Sequence, residues 1–254
     1  KDSTFGDMLA DPALKPIIAD IEAKLNEASA KVKAEIGVTL EELYNLPEGE
    51  ITFAVVEKPS RKAAVVMMLD AGEHGATLDK LVERMHDALV QEGADHSTQE
   101  ISDVEVNVYK LTGGNDNPFK TLAYFTDEGY LVIATEVAAI KSVLERWDGD
   151  SDDTLASSET FAYIQKKCQT GDEEPLMKWF INPIGIVQTT VGMLQGQNPQ
   201  AGLVLGMLPI LGLDHLKGVG GASEMHVADF ESTNRLFIYV EQPATGVLGV
   251  FNFP

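Results

Sequence analysis

The chain has 254 residues, 44% hydrophobic and 23% charged, the balance of a globular protein with a real core rather than of a disordered one. Its 40 acidic residues against 19 basic ones give a net charge of -21. A field of that sign repels phosphate backbones and anionic lipid, so nucleic acid is not an expected partner.

The first element is a helix. Asp11 is an N-cap and Pro12 fits the first helical position. Leu14, Ile17, Ile18, Ile21, Leu25, Ala28 and Val32 follow at steps of three and four, and Gly37 ends the element. A short helix covers Thr39 to Asn45. Ile51, Phe53 and Val55 alternate with smaller residues as a strand. After a turn around Lys58-Pro59-Ser60, Ala63 to Leu69 is continuously apolar, which predicts a central strand covered on both faces. An amphipathic helix spans about 76–92, with Leu78, Leu81, Val82, Met85 and Leu89 on one stripe. Three more strands are predicted at 104–111, 121–126 and 130–135. The loop Thr112 to Pro118 is turn chemistry throughout. A helix from about Glu136 to Trp147 closes the first half.

An acidic stretch, Asp148 to Asp153, then reads as a linker, after which the pattern of elements begins again. Leu155-Ala156-Ser157-Ser158 echoes Leu9-Ala10-Asp11-Pro12, with Ser157 as the expected cap of the next helix. The hairpin Glu50 to Gly72 lies over Glu224 to Gly246 without a gap, with six identities in 23 positions. The order of elements predicts an internal duplication of a helix–hairpin–helix–strands unit. The expected fold is α+β, with mixed or antiparallel sheets and packed amphipathic helices. The units are placed at 1–150 and 151–254, or merged in one domain. An apolar insertion occupies about 175–209 of the second unit.

The single cysteine, Cys168, excludes an internal disulfide and reads as a buried structural thiol. The longest apolar run, Ala201 to Leu213 with Pro209 inside it, is too short to span a bilayer as a helix, so no transmembrane segment is expected. The opening Lys1-Asp2-Ser3-Thr4 looks like a cut inside a longer protein.

No hydrolase, phosphate-loop or paired-cysteine motif is present, so no catalytic residue is assigned. His86 falls on the polar side of its helix. His226 alternates with core residues on a strand, and His74, His96 and His215 fall in loops or at helix ends. Two constellations stand out. Asp148, Asp150, Asp152, Thr154 and Glu159 occupy positions 1, 3, 5, 7 and 12 of a calcium-binding EF-hand loop. Asp153 stands where such loops carry glycine, which argues for a solvated acidic linker instead. The second is apolar. From Trp179 to Leu213 there is no charged residue in 35 positions. Phe180, Ile184, Val187, Val191, Leu194, Leu203, Met207 and Leu208 there are either two core helices or a surface for a hydrophobic ligand or a protein partner.

Several segments carry a resemblance. They are the Leu9-Ala10-Asp11-Pro12 helix, Ile36-Gly37-Val38-Thr39-Leu40-Glu41-Glu42-Leu43, and the hairpin after it. With them go Tyr130 to Thr135, the helix 137–147, and the restart at Leu155-Ala156-Ser157-Ser158-Glu159-Thr160-Phe161. In these the whole chain resembles the bacterial family called domain of unknown function 3352. That resemblance implies an extracytoplasmic location, exported or tethered by a hydrophobic N-terminal segment, and carries over no site residues. Three functional expectations follow: a non-enzymatic extracytoplasmic binding or structural domain with an apolar surface, a calcium-stabilised structural module, and a hydrolase of unrecognised type.

Overall fold

Thr39 starts the first described helix through a capping box. Its Oγ1 accepts from Glu42 N at 3.1 Å, and Thr39 N donates to Glu42 Oε2 at 2.7 Å. The computed structural model describes residues 24, 29–30, 39–57, 63–112, 119–149, 152, 154–169, 174–195, 199–226 and 231–250. The helix expected from Asp11 to Gly37 lies outside them except for Lys24, Ser29 and Ala30, which are helical. The turn at Lys58-Pro59-Ser60 lies outside them too, as does most of the loop after Thr112.

The elements run α1 (Leu40–Tyr44), β1 (Ile51–Glu57), β2 (Ala63–Asp70), α2 (Gly75–Gln91), β3 (Asp95–Ile101), β4 (Val104–Lys110), β5 (Thr121–Asp127), β6 (Tyr130–Ala134) and α3 (Val137–Leu144). They continue with α4 (Glu159–Cys168), β7 (Met177–Ile181), α5 (Pro183–Gln195), α6 (Gly202–Ile210), β8 (Leu216–His226) and β9 (Glu231–Val240). This is an α+β protein with two antiparallel sheets. The first has the order β1-β2-β6-β5-β4-β3, the second β7-β8-β9.

Among the described residues of the first half, the expected strands and helices fall close to where periodicity placed them, with β3 added; in the second half β7 was not expected, and the hairpin β8–β9 begins eight residues before the expected Glu224. The strand β3 was missed because Asp95–Ile101 has no apolar alternation. It is a polar, exposed edge, the composition that keeps an edge from pairing further. Its hairpin to β4 turns on Ser102 and Asp103, both at positive φ and neither glycine, so the turn left no Asn-Gly or Asp-Gly signature.

Cross-strand register explains why β2 is continuously apolar. Val66, Ala134, Ala123 and Val108 pair in one row, and all four are buried. Met67, Ile133 and Tyr124 pair on the opposite face, where α2 contributes Leu78, Leu81, Val82, Met85 and Leu89 to the same cluster. Two covered faces leave no position in the strand for a polar side chain.

In the second sheet, α4 packs on one face. Ile164 and Cys168 are buried against Ala222, with Phe180, Phe237 and Tyr239 around them. Gly220 makes this approach close: a Cβ there would lie 2.6 Å from Ile164 Cγ2 and 2.9 Å from the Trp179 carbonyl oxygen. The cap of α4 is Ser158, whose Oγ accepts from Phe161 N at 3.4 Å, and not Ser157.

The chain divides into two compact units, one of Lys1–Ala54 with Val65–Lys141, the other of Val55–Ala64 with Ser142–Pro254. The division falls in α3, ahead of the acidic linker. The duplication is not supported at the register read from sequence. The ungapped overlay sets β1 on residues 225–231, which are the end of β8, its connection and the first residue of β9. Among the described residues no helix is long and apolar enough to cross a membrane.

Candidate functional site

The uncharged segment supplies β7, α5, α6 and their connections. Its side chains divide by helical face. On α6, Leu205 is half-buried, while Leu208 and the preceding Ala201 are buried. The other face carries Leu203 at 69%, Met207 at 52% and Ile210 at 78% exposure, flanked by Val204. Residues 203, 207 and 210 follow the i, i+4, i+7 rule of a single stripe. This stripe points at solvent instead of a core. Val247 extends it at the C-terminal end, where its N–H donates to the Leu211 carbonyl at 2.8 Å and its side chain is exposed.

The eight residues singled out from sequence do not share one fate. Leu203 and Met207 lie on this face. Phe180 lies on the α4 side of its sheet, edge to face with Phe161 at 5.6 Å. Val191 and Leu208 are buried, and Ile184 and Val187 are half-buried. Val191 and Leu208 thus belong to the interior, on the buried sides of α5 and α6, and Phe180 packs partly buried on the Ile164, Cys168 and Ala222 cluster. The side chain of Leu194 lies outside the described residues. Val204 and Ile210, from the same apolar run as Leu203 and Met207, complete the face together with Val247.

The acidic linker is described only in part. Asp150 and Asp153 lie outside the described residues, and Glu159 opens α4. Between them, Ser157 Oγ donates to the carbonyls of Asp152 at 2.5 Å and Thr154 at 2.8 Å, and Ser157 N donates to Thr154 Oγ1 at 3.3 Å. These are turn contacts with the backbone carbonyls of Asp152 and Thr154 and with the Thr154 hydroxyl, and none involves the Asp152 carboxylate. Among the described residues no group of three His, Cys, Asp or Glu side chains is arranged to hold a metal.

A third cluster was invisible in the sequence. Tyr109 is fully buried on β4, and its hydroxyl lies 2.7 Å from His86 Nδ1 on α2. His96, paired with Tyr109 across β3 and β4, stacks on its ring at 4.7 Å and meets the His86 ring edge-on at 4.8 Å. His96 Nε2 lies 2.8 Å from Asn107 Oδ1. Tyr124 stacks on the other side of Tyr109. Burial pushes both phenols above the usual tyrosine range, and their mutual hydrogen bond raises Tyr109 further. His86 therefore faces the sheet, not the polar side expected of it, and His96 lies in a strand, not a loop. The two histidines sit 10 positions apart on different elements, so only strand pairing could unite them.

His74 Nδ1 donates to the Leu46 carbonyl at 3.2 Å. His215 occupies the short turn 213–215, with Nδ1 buried and unpartnered. The side chain of His226 lies outside the described residues. Burial raises the Cys168 thiol, more than the nearby Arg235 charge lowers it, so the thiolate needed for reactivity is suppressed. Lys217 bonds the Glu241 carboxylate at 2.7 Å and holds it below the usual range, but the pair is on the surface.

These features define an acidic α+β protein with an apolar helical face in its second unit. No family model, curated protein or solved structure matches the chain.

Proposed function

We propose that this protein is a non-enzymatic extracytoplasmic binding domain whose second unit presents the α6 face to a hydrophobic ligand or a protein partner. The observation that carries this reading is the exposure of Leu203, Met207 and Ile210 inside an uncharged segment of a chain with net charge -21. Solubility selects charge for such positions, and a helix apolar all round is ordinarily buried. Covering each of these half-exposed side chains is worth about 1–2 kcal/mol. The extracytoplasmic placement rests on the sequence resemblance. The groups whose proton affinity is shifted serve packing or a surface ion pair, which favours binding over hydrolysis.

The test is fluorescence of a neutral apolar dye such as Nile red, titrated with the wild type and with a Leu203→Glu, Met207→Glu variant. Enhancement by the wild type, lost in a variant that keeps its circular dichroism and thermal midpoint, supports the reading. Absence of enhancement at a concentration where the chain is monomeric, or enhancement equal in both, overturns it.

A further inference from the structure

We propose that α6 is a self-association surface, its stripe of Leu203, Met207 and Ile210 packing on the same stripe of a second copy of this chain. The inference deepens the reading above and rests on it.

Three observations select this occupant. The first is charge. No residue from 179 to 213 carries a charge. A partner that laid a charged side chain on this face would desolvate it with nothing to pair it. The face fits an uncharged apolar helix, and α6 is one.

The second is area. Leu203, Val204, Met207, Ile210 and Val247, exposed to between 45% and 78%, present on the order of 500 Å² of apolar surface, the upper range for a patch left open on a monomer. Two such faces together reach about 1,000 Å², the lower bound of a specific interface. A two-fold axis across α6 brings each stripe onto itself, as an isologous dimer requires.

The third is Gly206, on the exposed face between Leu203 and Met207. A glycine inside a helix costs stability relative to alanine. Elsewhere in this unit glycine makes room for a neighbour, as Gly220 does for Ile164. Among the described residues, a Cβ at Gly206 would meet no atom of a neighbouring element within 4 Å. The fold of one copy gives no reason for its absence. A second helix crossing there at short range does, because helix separation is set by the side chains at the crossing.

The proposal is tested by sedimentation equilibrium of the purified chain across micromolar concentrations, at low and high salt. Each copy carries a net charge of -21, so salt screens their repulsion, and the dimer fraction rises with salt as well as with concentration. Ile210→Lys is expected to weaken the dimer about tenfold or more while leaving the circular dichroism unchanged. Gly206→Ala separates the readouts: it raises the thermal midpoint of the protomer through helix propensity and weakens association. A chain that stays monomeric throughout, or a dimer indifferent to Ile210→Lys, overturns the proposal. The dye titration distinguishes the two failures. A monomer that still enhances Nile red leaves the apolar-face reading standing, and a monomer that does not sinks both.

Discussion

Removing the Tyr109 hydroxyl tests the packing of the first unit. The phenol is fully buried and lies 2.7 Å from His86 Nδ1. Tyr109→Phe removes this bond. His86 is half-buried and can recover water, so the expected loss is about 1 kcal/mol. A double-mutant cycle with His86→Ala should return a coupling of about 1 kcal/mol. The assay is urea unfolding followed by far-ultraviolet circular dichroism, because Trp147 and Trp179 both lie in the second unit and report on that unit. The same phenol gives a pH signature. The folded state raises the affinity of Tyr109 for its proton above the ordinary value of 10.0. Below pH 10 both states hold the proton and the shift has no effect. Above it the unfolded chain releases the proton first, so stability falls as pH rises. Tyr109→Phe should flatten that fall. A coupling within about 0.3 kcal/mol of zero, together with an unchanged alkaline slope, would refute the hydrogen-bonded arrangement.

Three further outcomes follow. Gly220→Ala drives a methyl into Ile164 and the Trp179 carbonyl, so it should destabilise the second unit by about 1–3 kcal/mol; an unchanged tryptophan-monitored unfolding midpoint contradicts the α4 packing. Cys168 should react with Ellman's reagent at mildly alkaline pH only after denaturant is added, since burial holds the thiol protonated; rapid labelling of the native chain contradicts its burial. Calcium at millimolar concentration should leave the thermal midpoint where a chelator leaves it, because Asp153 stands where the loop needs glycine for its sharp turn; a rise of several degrees that disappears in Asp150→Ala would instead place the ion in the linker.

Local sequence patterns marked most helices and strands of the first half. The stripe from Leu78 to Leu89, the unbroken run Ala63 to Leu69 and the capping box at Thr39 are local patterns, and local patterns fix local conformation. The sequence also separated an acidic chain from one uncharged segment. It did not determine β3, whose polar residues carry no periodicity, nor the meeting of His86, His96 and Tyr109, which depends on register between β3 and β4. Packing between elements settles which apolar residues of the 179–213 segment are core. Phe180 and Leu203 look equivalent in sequence. One is covered by α4 and the other faces solvent, because burial is a property of the neighbouring element and not of the residue.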